Sequence, residues 1–240
     1  MAMELNHHRK VRIRVGSVRR AVRFGLLVTA GLGTLGATTG VAQAVGPNGG
    51  ALDGTAVRGV AVADDGAFTL ATRAHESRFQ DSFTVHQFGA VYSATADNQA
   101  TAYTSWCSAD DPCRSVSLSF QIVTMAGTDI HLDAHNRSTA ANVHCPGCES
   151  LAGAYQFIVS TPRPFTLGVS AQRQFAEIHR KLDALGRSSA PVAEVRQQAD
   201  ALAAQVTALL RAAAATAPKG PGVNALAELE PQVTVHRVWA

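Results

Sequence analysis

Charged side chains are scarce in this chain: 16% of 240 residues, with lysine only at positions 10, 181 and 219. Aromatic residues make up 6%, and cysteine occurs four times. At 46% hydrophobic, the chain is too apolar for a disordered or collagen-like protein and long enough for one or two modest domains. Acid is nearly missing from its start. Before Phe24 stand seven of the 21 basic residues (Arg9, Lys10, Arg12, Arg14, Arg19, Arg20, Arg23) against Glu4 alone. Beyond residue 44, 14 bases face 17 acids, a balance of −3. A basic partner-binding surface is thereby excluded, and nucleic acid is not an expected partner.

Long apolar runs are also lacking, apart from Phe24 to Leu32. That run follows the cations and precedes Ala42-Gln43-Ala44, a small-x-small site for signal peptidase. Residues 1–44 therefore read as a signal peptide cleaved after Ala44. Its contact with membrane is transient, because Thr and Gly dominate after Leu32 and a spanning helix wants about 20 strongly apolar residues. Arg19-Arg20 raises a twin-arginine export route. The expected location of the mature protein is secreted, extracellular or in the cell envelope.

Residues 45–55 read as a flexible leader, since Gly46-Pro47-Asn48-Gly49-Gly50 cannot continue helix or strand. Residues 56–165 alternate in period two, the mark of short half-buried strands. In Val116 to Ile122, Val116, Leu118, Phe120 and Ile122 share one face while Ser117, Ser119 and Gln121 share the other. A repeat lies within. Cys113 to Val123 recurs 35 residues later from Cys148, matching Ser115 with Ser150, Phe120 with Tyr155 and Gln121 with Gln156. Upstream the offset is 38, matching Asn98 with Asn136, Ala102 with Ala140 and Cys107 with Cys145. A three-residue insertion between the first two cysteines accounts for the difference. The units, about 97–123 and 135–158, read as strand, cysteine-bearing turn, strand: two β-hairpins, with a degenerate earlier copy around Ser82-Phe83-Thr84-Val85.

Helical spacing follows over 168–215. Phe175, Ile178, Leu182 and Leu185 form one seam, starting after Ser170 as N-cap, and Gly186, Ser188 and Ser189 interrupt it. Val195, Leu202, Val206 and Leu209 resume it after Pro191. The short link predicts an antiparallel helical hairpin of about 16 and about 24 residues. Its surplus seam must pack on the β part or on another copy, which would make a homo-oligomer. Residues 216–240 read as a tail with an apolar stub from Val233 to Trp239. The expected fold class is α+β: a small antiparallel β domain of repeated hairpins, then an antiparallel helical hairpin.

Cys113 to Val123, Cys145-Pro146-Gly147-Cys148 with Ala154 to Ile158, and Ser170 to Leu185 resemble a family of exported actinobacterial proteins. The resemblance covers roughly residues 95–215. It implies export and brings no activity with it, although several members carry a peptide zinc metalloprotease label. A zincin needs His-Glu-x-x-His on a helix. Here His75-Glu76 lacks its second His, and His131-Leu132-Asp133-Ala134-His135 has Leu in place of Glu. Asn136-Arg137-Ser138, a formal glycosylation sequon, reads as coincidental in a bacterial chain.

Four cysteines allow three connectivities. With one pair per repeat unit in an oxidising compartment, the expectation is Cys107–Cys113 and Cys145–Cys148, each closing its own turn and contributing about 2 kcal/mol. Two rival readings use the same residues. One is a thiol–disulfide oxidoreductase on Cys145-Pro146-Gly147-Cys148, its first thiol acidified by His144. The other is a zinc-binding protein with both turns as knuckles of one four-cysteine site. Asp129, His131, Asp133 and His135 project from one face of a strand and form a weak metal candidate, more simply the wet side of an edge strand. Trp106 and Tyr103 are expected to pack on the first cysteine pair rather than form an exposed contact patch. No catalytic constellation assembles. The chain therefore reads as a disulfide-stabilised, non-catalytic interaction module without cofactor, whose partner is a protein or an envelope component.

Overall fold

The computed structural model describes residues 55–57, 59–219 and 230–240; the expected signal peptide, its expected cleavage site and most of the expected leader lie outside them. Six long strands follow one another: β2 (Val60–Thr72), β3 (Ser77–Ala90), β4 (Ser93–Ser105), β5 (Arg114–Ala126), β6 (His131–Val143) and β7 (Glu149–Thr161). A short β1 (Thr55–Val57) precedes them; α1 (Val169–Gly186), α2 (Val192–Ala215) and β8 (Gln232–Trp239) follow. The chain crosses from one sheet to the other at every turn. β2, β4 and β6 pair in parallel in one sheet, and β3, β5 and β7 in parallel in the second. Only the end strands are antiparallel, β1 on β2 and β8 on β7.

The antiparallel hairpins expected from the repeat are therefore not formed. Each repeat unit is one full coil of a flattened two-sheet solenoid, and its equivalent residues lie side by side. Asn98 pairs with Asn136 and Ala102 with Ala140, while Ser115 pairs with Ser150, Phe120 with Tyr155 and Gln121 with Gln156. The sequence offsets of 38 and 35 are the sheet registers themselves. The degenerate early copy is the first coil, with Phe83 beside Phe120 and Asp65 beside Asn98. The crossover element in each coil is a strand of the opposite sheet, in place of the helix that usually connects parallel strands.

Between the sheets lie small side chains, among them Ala61, Ala63, Ala94, Ala96, Ala100, Ala102, Ala152 and Ala154. The Ser117, Ser119, Gln121 face of β5 meets them and is fully buried, not wet. Its other face, with Val116, Leu118, Phe120 and Ile122, packs under the helices together with Tyr155 and Phe157. The second sheet is thus covered on both sides.

A polar ladder threads the dry space between the sheets. The Asn98 amide donates to Asn136 Oδ1 (2.9 Å) and to the Tyr155 carbonyl (3.0 Å), while the Ser119 hydroxyl donates to Asn98 Oδ1 (2.6 Å). The Gln156 amide donates to Gln121 Oε1 (2.8 Å), and the Gln121 amide to Asp65 Oδ2 (2.7 Å). Where later coils carry Gln, the first has the shorter Thr84, and His86 from the same strand reaches Asp65 instead (2.6 Å). Unpaired amides in such a space would each cost about 1–3 kcal/mol, so the ladder specifies register as well as stability.

The helical hairpin forms where the spacing places it and lies on the second sheet. Phe175, Ile178, Leu182, Leu185, Val195, Leu202 and Val206 are buried; at the far end Leu210 replaces Leu209, which is only partly covered, because a straight helix drifts from a 3.5-residue repeat. The surplus of α2 packs on this sheet. Gly168, not Ser170, is the N-cap of α1. Arg114 donates to the carbonyls of Ser188 (3.3 Å) and Ala190 (2.6 Å) and so holds the interhelical link. The expected apolar stub is β8. Its Trp239 packs edge-on against Tyr155 and beside Gly153, where a Cβ would lie 2.5 Å from the indole. Asp200 of α2 accepts from Tyr155 (2.8 Å) and Arg237 (2.9 Å), joining helix, β7 and β8. Burial, reinforced by that bond to Asp200, pushes the Tyr155 hydroxyl far above its ordinary pKa.

Replacing Asn98 by Ala should orphan the Ser119 hydroxyl and the Tyr155 carbonyl. Urea denaturation is expected to show a loss of about 1–3 kcal/mol. A loss below roughly 0.5 kcal/mol, the scatter of ordinary surface substitutions, would remove the ladder from the account of stability.

Candidate functional site

Three turns lie at one end of the coil: residues 73–76, 106–113 and 144–148. The extra residues of the second turn are the insertion seen in the repeat. Backbone hydrogen bonds carry the sheet register into the turns: Trp106 N–H to Val143 O (3.2 Å), Arg114 N–H to Glu76 O (2.7 Å) and Glu149 N–H to Cys113 O (2.9 Å). Stacked in this way, Cys107 is bonded to Cys113 and Cys145 to Cys148. All four are buried in a cluster closed by Ala71. Their sulfurs lie within 4.8 Å of one another, so the two bridges form a single sulfur cluster.

Immediately before the first cysteine of each turn stands an exposed ring, Trp106 and His144, at the repeat offset of 38. Both have left-handed backbone, φ 61° and 49°, and the rings stack with centroids 4.6 Å apart. Left-handed geometry costs a residue other than glycine roughly 1–2 kcal/mol. Trp106 is 64% exposed, so it does not pack on the bridge as expected. Tyr103 does not either; it meets Phe68 edge-on, centroids 6.1 Å apart, on the outer face of the first sheet. Among the described residues nothing covers that face, which also exposes Val62 and Leu70. The matching Trp-Cys and His-Cys dipeptides were the available signal for the stacked pair. Nothing in the sequence marks Phe68, since its neighbours there come from other coils.

The row Asp129, His131, Asp133 and His135 does not assemble into a metal site. Asp129 precedes β6, and of the rest only His135 and Asp133 approach, at 3.2 Å. A second cluster that sequence reasoning missed joins β3 to α1, which the sequence separates by about a hundred residues. His179 lies 3.1 Å from Asp81 and 3.9 Å from Asp183, its ring stacked on Phe83. The Asp81 carboxylate at 3.1 Å raises the His179 pKa above its ordinary 6.5, against a smaller opposing effect of burial. Asp183 is raised as well, by burial and then by Asp81. Among the described residues, this trio and the four cysteines are the groups of three or more donors within mutual reach.

The oxidoreductase reading of Cys145 and Cys148 gains no geometric support from a helix: the strand β7, not a helix N-terminus, follows Cys148. The Asn136 amide is occupied by the carbonyls of Ala154 (2.9 Å) and His236 (3.0 Å), so the sequon is part of the ladder. Open grooves of about 500 and 350 Å³ follow the outer side of the helical pair, lined mainly by Ala, Gln and Leu209, with little convergent chemistry. No family model, curated protein or solved structure matches the chain.

Trp106→Gly should change stability by no more than about 1 kcal/mol, since relief of roughly 1–2 kcal/mol of backbone strain offsets the ~0.5–1.5 kcal/mol of lost stacking. A loss above about 3 kcal/mol would make Trp106 a core residue. The acid–imidazole cluster generates a pH prediction. A raised His179 pKa contributes stability that is complete below 6.5 and lost as pH rises through the higher folded value. Asp183 has the same sign in a lower window, its contribution declining from 3.8 upward. Melting temperature should therefore fall from neutral pH upward relative to a His179→Gln variant; parallel curves for the two proteins would refute the assignment.

Proposed function

We propose that this chain is an exported, disulfide-stabilised, non-catalytic interaction module that meets a protein or envelope component through the uncovered face of the first sheet. The observation that carries the reading is the asymmetry of the two sheets. The second carries the helical pair on its outer face, whereas, among the described residues, the first presents Phe68 (53% exposed), Leu70 (45%) and Val62 (44%) to solvent, with the strained Trp106 at its edge. Exposed apolar side chains grouped on one face, as Phe68, Leu70 and Tyr103 are here, mark contact sites when polar groups rim them. Gln99, Thr139 and Arg137 lie on the same face. The left-handed backbone at Trp106 is consistent with its ring being held outward for recognition.

Export is supported by the cationic start, the apolar run and the Ala42-Gln43-Ala44 site, by the resemblance to exported proteins, and by four cysteines all joined in bridges. Among the described residues no helix is long and apolar enough to cross a membrane.

The test uses immobilised wild-type protein and a Phe68→Ser/Trp106→Ala variant on envelope and culture fractions. The wild type should retain a partner that the variant loses by at least tenfold while both unfold at similar temperature. Equal recovery by the two proteins, or none by either, would falsify the docking face.

A further inference from the structure

We propose that the four cysteines constitute a closed tetrathiolate site for one zinc ion whenever both disulfides are reduced. The same cluster would then alternate between a pair of bridges and a metal centre. This inference does not depend on the interaction reading; it rests on how the coils place the sulfurs.

Two staples that each close their own turn have no need of one another, yet here all four sulfurs lie within 4.8 Å. A tetrahedral ion with Zn–S bonds of about 2.3 Å requires sulfurs about 3.8 Å apart. Once both bonds are broken, each pair can part to that distance by side-chain rotation, while the two pairs, already within 4.8 Å of each other, draw together. The placement does not depend on the sulfur–sulfur bonds. β5 and β7 stay in register from Arg114 and Glu149 onward, and the Glu149 N–H to Cys113 O bond fixes the two turns against each other. Reduction removes two local rings and leaves that ladder in place.

The surroundings suit thiolates. The Cys113 N–H already donates to Cys148 Sγ at 3.0 Å, the kind of bond that offsets negative charge on a coordinated sulfur. Cys145-Pro146-Gly147-Cys148 is a two-residue knuckle, closed by Cys148 N–H to Cys145 O (3.3 Å) and turned by Gly147 at φ +76°. The cysteines are nearly solvent-free, as in structural rather than catalytic metal sites. Four soft sulfur donors select zinc over the hard cations that carboxylates hold.

The chemistry balances with a dithiol reductant of the thioredoxin class. Two such molecules each pass two electrons and two protons to one bridge, giving four thiols and two oxidised reductants. One zinc ion then displaces four protons, leaving a centre of net charge −2.

The experiment takes the full chain, reduces it under argon, removes the reductant and titrates with cobalt(II), then zinc(II). One equivalent of cobalt should give the thiolate charge-transfer and d–d bands of a tetrahedral sulfur site, and zinc should displace it. Native mass spectrometry should then show one zinc in exchange for four protons. Cys107→Ser and Cys148→Ser, one from each pair, should each weaken zinc by more than the ~10–100-fold typical of losing an outer-sphere partner. Circular dichroism of the reduced wild type follows the fold throughout. If the reduced chain binds no cobalt, binds it without the tetrahedral bands, or binds it equally well in either serine variant, the proposal fails. It fails equally if the reduced chain unfolds and zinc does not restore it.

Discussion

Like side chains stacked in register, coil upon coil, are the constraint from which the rest of this molecule follows. In the space between the sheets, where most neighbours are alanine, Asn98, Asn136, Gln121, Gln156 and Asp65 can satisfy their polar atoms only when each coil sits directly on the last. A slip of one residue would turn every one of them to the opposite face and put Phe120 or Leu118 against the alanines. The hydrophobic core beneath the helices supplies stabilisation by area, but it tolerates sliding far better than amides do.

From that register come the features at the coil's turned end. Parallel stacking brings Cys107, Cys113, Cys145 and Cys148 into one cluster, although they belong to two separate units of the repeat. It likewise sets Trp106 over His144. Neither grouping is encoded locally; each is a by-product of two similar segments being laid side by side. The same logic explains why the sheets differ. Helices α1 and α2 leave the last coil and fold back over the sheet containing β7, and among the described residues nothing does the same for the other sheet.

Much of this was legible in the sequence, though not its meaning. The repeat, its offsets of 35 and 38, the period-two faces and the helical seam were all readable, because each is a short-range pattern of residue types. What periodicity could not convey is whether two similar strand–turn–strand units sit as neighbouring hairpins or as superposed coils. The clue was that polar residues, Asn98 with Asn136 and Gln121 with Gln156, persisted at the matching offset. On a wet face such matches have no reason to persist, whereas in a ladder each partner requires the other. The Asp81, His179, Asp183 cluster was beyond reach for a different reason: β3 and α1 meet only after three coils have been wound.

Parallel, in-register stacking of like segments is also the geometry of amyloid, which grows by adding copies to an open end. This chain closes two of its four sheet margins with strands laid in the reverse direction, β1 against β2 and β8 against β7. The Trp239 indole fills the place where Gly153 lacks a side chain, so an incoming strand cannot take that seat without expelling it. Along the uncapped β6 margin, Asp133 and Arg137 keep the outer face charged. A fold built by self-similarity thus carries its own chain terminators, and its length is set at three coils rather than left to concentration.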